Sequence, residues 1–203
     1  MKTFPVMLNV QGRLAVVVGG GPVGLRKARS LSQAGARVLL VAPQIKESQV
    51  TSGIEIVRAS YRDDLLQGAL LVFACTDEGA LNARIAADAR KAGALVNAAD
   101  QPEDCDFFLP AVAADGEVVI AIGTGGASPA LAVQLKDRLA AALPKRIGEF
   151  AHLLSELREA LKSKVPDVAR RGEIMKRLST EQAYEKFLSG GREAIGKMLV
   201  GLL

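Results

Sequence analysis

Tryptophan is absent from the 203 residues, aromatic side chains make up only 4% of them, and the chain holds two cysteines and a single histidine. Each scarcity removes a class of function. Cys75 and Cys105 show no C-x-x-C spacing, and His152 alone cannot complete a soft-metal ligand set, so a preformed zinc site is not expected. The formal charge of +4 could suit nucleic acid, but no aromatic side chains stand beside basic ones as RNA-binding surfaces require. The surplus suits a small polyanionic ligand instead, with nucleic acid no partner. No apolar run approaches the roughly 18 residues of a membrane span, and the opening MKTFPVMLNVQGR has no apolar signal-peptide core. A soluble, cytoplasmic protein with no membrane partner is expected.

What the chain has is apolar residues, 49% of the total, arranged in short runs that alternate with helical patterns as far as residue 112. Strands are predicted at Leu14–Val18, Arg37–Val41, Glu55–Val57, Leu70–Ala74 and Leu95–Asn97, with helices from Pro22 and over Leu81–Ala92. This alternation is that of a parallel, doubly wound α/β sheet. A strand at Val118–Ile122, the stretch GTGGASPA and a helix capped by Ser128 with Pro129 at its first position form a segment too small to fold alone. Beyond Pro144, Phe150, Leu153, Leu154, Leu157 and Leu161 recur at helical spacing, while Pro166 and Gly190–Gly191 punctuate further helices. The expected units are a Rossmann-like domain over 1–112, a segment over 113–145 and a small helical unit over 146–203.

Gly19, Gly21 and Gly24 stand in G-x-G-x-x-G order between an apolar strand and a helix, the context that gives this motif its meaning. The glycines let the backbone approach a pyrophosphate, whose charge the helix N-terminus favours, and Pro22 fits a first turn without a needed donor. An acid about 20 residues on would bind the adenine ribose of NAD. Here the second strand ends in Val41, Ala42, Pro43, Gln44, leaving backbone groups or Gln44 for that contact. An arginine that would read a 2′-phosphate is equally missing, so NAD is preferred to NADP as cofactor. Thr76, at the end of the fourth strand, either faces the nicotinamide side or, with Asp77, caps the next helix.

No Tyr-x-x-x-Lys and no nucleophile beside a base is visible, and His152 reads as a solvated or packed side chain. Asp100, just past the fifth strand, is the one ionisable group with a positional argument: partly shielded from water, it could take a proton while NAD takes a hydride. Glu103 and Asp104 read as a solvated turn and Asp106 as a tie to its neighbours. Pro102 and Cys105 break any element that would converge the four acids on one ion.

Four stretches, VVVGGGPVGLRKA, FACTDEGALNARIA, VNAADQPEDCDFFLPA and AIGTGGASPALA, together resemble the precorrin-2 dehydrogenase and sirohydrochlorin ferrochelatase family, which includes the N-terminal part of bacterial siroheme synthase. The likeness spans about residues 4 to 145. It implies oxidation of precorrin-2 to sirohydrochlorin with NAD and, in some members, insertion of ferrous iron to give siroheme; other members are dehydrogenases only. A dinucleotide-sensing module without turnover is the alternative from another class. The family's aspartate falls on Asp100, and its dinucleotide contacts fall on Pro22, Val23, Pro43 and Gln44. The resemblance also implies a homodimer in which residues 113–145 are the dimerisation segment. A tetrapyrrole's carboxylates would suit Lys136, Lys145, Arg146, Arg158 and Lys162, and its nitrogens would hold the metal without a protein cage. Two departures stand out: Thr124 occupies the position of a serine phosphorylated in some members, and Val133 and Gln134 replace an arginine common after SPALA.

Overall fold

The computed structural model describes residues 2–45 and 52–203. Residues Phe4–Leu109 form one compact unit around a five-stranded sheet. Its elements are β1 (Leu14–Val18), α1 (Pro22–Gln33), β2 (Arg37–Val41), β3 (Ile54–Val57), β4 (Ala69–Ala74), α2 (Gly79–Lys91) and β5 (Leu95–Ala98). The strands run parallel in the order β3-β2-β1-β4-β5, so the chain winds outward from β1 in one direction and then crosses back to β4 on its other side.

Alternation along each strand divides the core. Val16, Val18, Leu39, Val41, Val72, Ala74, Val96 and Ala98 face Ile85, Ala86 and Ala89 of α2. Ala15, Val17, Val38, Leu40, Leu71 and Phe73 turn to the opposite face, against Leu25, Ala28 and Leu31 of α1. With both faces covered, each strand must be apolar at successive positions, which is why these segments read as continuous apolar runs rather than as alternating ones.

Pro110–Leu203 belong to the second unit. It opens with an antiparallel hairpin, β6 (Ala111–Asp115) and β7 (Val118–Ile122), followed by α3 (Pro129–Ala141), α4 (Ile147–Lys164), α5 (Val168–Leu178) and α6 (Glu181–Val200). Strand β6 is not predicted from the sequence and straddles residue 112, where a boundary is expected; its alanine-rich AVAAD carries little strand preference and is held by pairing with β7. The predicted cap at Ser128 is present, its hydroxyl accepting from the Leu131 N–H at 3.2 Å, and Asp167 and Thr180 cap α5 and α6 in the same way. Gly191 breaks α6 with φ 59° and ψ −151°, so the glycine pair kinks a helix where the sequence predicts punctuation.

Phe150, Leu153 and Leu161 of the predicted stripe are buried with Ile174, Leu178, Phe187 and Ile195, and Leu154 and Leu157 pack at the margin of the same cluster. The Phe150 and Phe187 rings lie 5.2 Å apart. Leu178 is fully enclosed, so Leu178→Ala removes three carbon atoms from a site without solvent. The expected loss is about 2–5 kcal/mol, read as a lower urea midpoint for this unit.

Candidate dinucleotide site

In an open parallel sheet a ligand settles at the carboxyl ends of the strands, where the winding reverses. That point here lies between β1 and β4, whose last residues Val18 and Ala74 are register partners. The Gly19–Gly24 turn leaves β1, Pro43 and Gln44 follow β2, Thr76 follows β4, and Asp100 follows β5. Every sequence-predicted site residue is thus delivered to one edge of one sheet.

The glycines divide by what surrounds them. A Cβ on Gly24 would stand 2.0 Å from the Gly19 carbonyl oxygen, and one on Gly19 would stand 2.2 Å from the Cys75 carbonyl oxygen. Gly19 also has φ 124°, a conformation that side chains rarely adopt. These two glycines close the turn onto β4. Gly21 differs: a Cβ there meets nothing within 4 Å, so the bare backbone faces open space at the start of α1. An open backbone turn at a helix N-terminus with no acid in the first turn fits the phosphates of a dinucleotide, which Gly21, Pro22 and Val23 would hold. Gly20, which the motif treats as variable, is equally constrained, since its Cβ would lie 2.4 Å from the Gln44 carbonyl oxygen. The run of three successive glycines was the available signal for it. Pro43 and Gln44 are exposed beside this contact.

Thr76 is committed to the loop before α2. Its hydroxyl donates to Asn82 Oδ1 at 2.8 Å and accepts from the Glu78 N–H at 3.3 Å. Asn82, only 3% exposed, also accepts from the Thr76 N–H at 3.1 Å and donates to the Thr76 carbonyl at 3.0 Å. These bonds tie the Thr76 hydroxyl to the start of α2; that Thr76 also faces a nicotinamide is a proposal. Asn82 has no sequence signal beyond being a polar residue on the buried stripe of an amphipathic helix.

Asp100 is exposed, not shielded as expected, and adopts φ 60°. Aspartate tolerates this left-handed conformation better than most residues, yet such backbone persists only where neighbouring contacts impose it. On either side of Asp100 the Ala99 N–H donates to the Ala74 carbonyl at 2.8 Å and the Gln101 side chain to the Gly79 carbonyl at 3.1 Å, while the acidic stretch holds the far end of the loop. Asp106 receives the Val96 N–H at 3.0 Å and the Arg90 Nε–H at 3.0 Å, while its own N–H donates to the Val96 carbonyl at 2.8 Å. It ties the turn to β5, as the sequence suggests. Asp104 lies 3.9 Å from Arg90 and Glu103 is exposed, so the turn is solvated at Glu103 and loosely paired at Asp104. The Cys105 thiol sits 3.2 Å from both the N–H and the carbonyl of Ala98, beneath the strand end.

Two further titratable groups lie under this edge. Lys27 of α1 is half-buried, and burial pulls its ammonium below the usual lysine range. Burial also pushes the Cys75 thiol up to about 11, so it is unreactive at neutral pH. In the second unit, Lys136, Arg146 and Lys162 are ion-paired to Asp137, Glu149 and Glu159, while Lys145 and Arg158 have no side-chain partner among the described residues. His152 is exposed, with Nδ1 3.2 Å from Glu117, which agrees with a solvated side chain.

The glycine geometry separates folding from binding. Gly24→Ala should lower the melting temperature by several degrees, because the clash is with backbone, whereas Gly21→Ala should leave melting unchanged and weaken NAD binding by at least about tenfold. Calorimetric titration alongside thermal melts checks both.

An NAD(P)-binding family model matches residues 6–111, the sheet unit with its glycine turn. The chain is 37% identical to a siroheme synthase of Ectopseudomonas mendocina over 201 residues, which are 98% of this chain and 44% of that protein. A siroheme synthase of Pseudomonas aeruginosa is 37% identical over 194 residues, 94% of this chain and 42% of its own length. The chain therefore spans less than half the length of these curated relatives. Among solved structures, SirC, precorrin-2 dehydrogenase, superposes with a TM-score of 0.78 at 23% identity, covering 98% of this chain and 100% of that one, a likeness of fold. With its glycine turn, its strand order and a family model over half its length, the chain belongs to the NAD(P)-binding family, as a homologue of siroheme synthases.

Proposed function

We propose that the chain oxidises precorrin-2 to sirohydrochlorin with NAD, Asp100 acting as the base. The observation that carries this reading is the placement of one carboxylate, in a rare backbone conformation, on the same sheet edge as the dinucleotide cradle. When bound, NAD supplies the acceptor for the hydride that leaves the macrocycle. The balancing proton needs a base, and the exposed Asp100 carboxylate is free to approach a large, flat substrate lying across the strand ends. Gly21, Pro22 and Val23 would hold the pyrophosphate, and Pro43 and Gln44 the adenine ribose. NAD is favoured over NADP because no arginine that would read a 2′-phosphate stands just past β2, where the chain runs Ala42, Pro43, Gln44.

Ferrous iron is a further substrate in this reading, taken up by the nitrogens of sirohydrochlorin while the two displaced pyrrole protons pass one after the other through the same carboxylate to solvent. Both cysteines are free, which suits a reducing compartment, and the cytoplasm is the proposed location. Residues 113–145 are proposed to make a homodimer. Leu131, Leu135 and Leu139 recur every fourth residue on α3 at 44%, 36% and 47% exposure, and Val112 and Val119 are exposed on one face of the hairpin. So much apolar surface in one small segment calls for a partner, and a second copy is the occupant the siroheme synthase relationship favours.

Asp100→Ala should reduce precorrin-2 oxidation by at least about 100-fold while NAD affinity stays within about twofold. Unchanged turnover would overturn the assignment, and absence of any NAD-dependent turnover in the unmodified protein would favour a sensing module. The chelatase arm is checked by sirohydrochlorin and ferrous iron without NAD, where a rate no faster than the spontaneous one removes it. Sedimentation at micromolar concentration should give a dimer that Leu135→Glu converts to monomer.

A further inference from the structure

Lys27 has a position that packing does not explain. It lies on the face of α1 that meets the sheet, one residue before the buried Ala28 and three after the buried Gly24. A lysine costs side-chain entropy and hydration there, and such residues normally carry a carboxylate partner. Among the described residues Lys27 has no ion pair. Its Nζ instead lies 2.5 Å from Asn97 Oδ1, at the end of β5, and 4.9 Å from the centre of the Phe73 ring.

That single hydrogen bond fixes more than one side chain. With Oδ1 of Asn97 occupied by Lys27, Nδ2 must point the other way, where it donates to the Phe107 carbonyl at 2.9 Å and lies 3.5 Å from Cys105 Sγ. Asn97 is buried at 7% exposure and so cannot turn to water for an alternative. Phe107 in turn sets its ring edge-on to Phe73, 5.4 Å away, closing a circuit from Lys27 through Asn97 and Phe107 to the ring beneath the ammonium. The segment so pinned is the far end of the loop that begins at Asp100. Asp106 anchors the same end through Val96, but its contacts lie one residue deeper in β5. Among the described residues, Asn97 supplies the hydrogen bond that reaches α1, the helix that opens on the dinucleotide cradle, beside the apolar packing of Phe107.

We propose that Lys27 is a positioning residue for the oxidation: through Asn97 it couples the phosphate-binding helix to the turn that presents Asp100. The proposal rests on the reading of Asp100 as the base. It requires Lys27 to keep a long cationic donor whose head reaches Asn97 while its methylenes cross the apolar face between α1 and β4. Arginine retains reach and charge, methionine retains volume alone.

The test compares Lys27→Met and Lys27→Arg in the full chain with three readouts: NAD affinity by titration, kcat and KM for precorrin-2, and the rate at which a chromogenic disulfide labels Cys105, assigned by mass mapping. For Lys27→Met the expected result is NAD affinity and KM within about twofold, kcat down by about 100-fold, and Cys105 labelled at least about tenfold faster as the turn loosens. Lys27→Arg should restore most of both. Unchanged kcat and unchanged labelling in Lys27→Met would overturn the proposal, as would a Lys27→Arg protein impaired to the same degree. If the unmodified protein does not oxidise precorrin-2, the function assigned above fails; slow Cys105 labelling, lost in Lys27→Met and regained in Lys27→Arg, would still establish the coupling. Should Lys27→Met not fold, Lys27→Gln, whose amide is shorter and uncharged, carries the same readouts and the same expected losses.

Discussion

The approach of Gly24 to the carbonyl of Gly19, and of Gly19 to the carbonyl of Cys75, is the constraint on which the remainder of the site depends. These are contacts between backbones, closer than any side chain would allow. They bring the first turn of α1 down onto the reversal point between β1 and β4 and leave Gly21 facing open space. The same closeness fixes where α1 crosses the sheet, and hence which α1 side chains overlie which strand ends. Lys27 reaches Asn97 because the helix begins where these glycines put it. A turn built of larger residues would lift the helix and forfeit both the cradle and the reach.

Much of this edge was legible in the sequence, for a physical reason: the demands it makes are local. A glycine motif between strand and helix, a proline at the first helical position and a serine cap each act within a few residues of chain. The doubly wound fold was equally legible, because the central strands of a sheet covered on both faces are apolar on both. What escaped notice were links between distant segments. Asn82 and Asn97 look like ordinary polar residues until the fold shows Thr76 wrapped around one and Lys27 set against the other. Lys27 stands in a basic run with Arg26 and Arg29, both exposed, and nothing in that run marks the one lysine that turns inward. Strand β6 was missed because its pairing with β7, rather than its alanine-rich composition, makes it a strand.

The acidic stretch after β5 shows how composition can mislead and position correct it. Four acids within seven residues suggest a common task, yet they divide the labour. Asp106 is consumed by Val96 and Arg90, Asp104 lies at the margin of the same arginine, Glu103 faces solvent, and the Asp100 carboxylate has no hydrogen-bond partner among the described residues. That unpartnered carboxylate is the one proposed as the base. Its exposure, unlike the sheltered setting expected, means that a substrate covering it would provide the dry surroundings that the chain itself does not.

The left-handed backbone at Asp100 carries a consequence for the choice of acid. Glutamate has the same charge and a longer reach, but aspartate is among the few side chains that occupy this region of backbone space at modest cost, with asparagine and glycine as its companions. The loop therefore filters what can stand at this position before any chemistry does. Neutral drift is steered toward residues that keep the turn and lose the base, so a chain that has surrendered turnover would retain its shape, and a fold likeness alone would not tell the two apart.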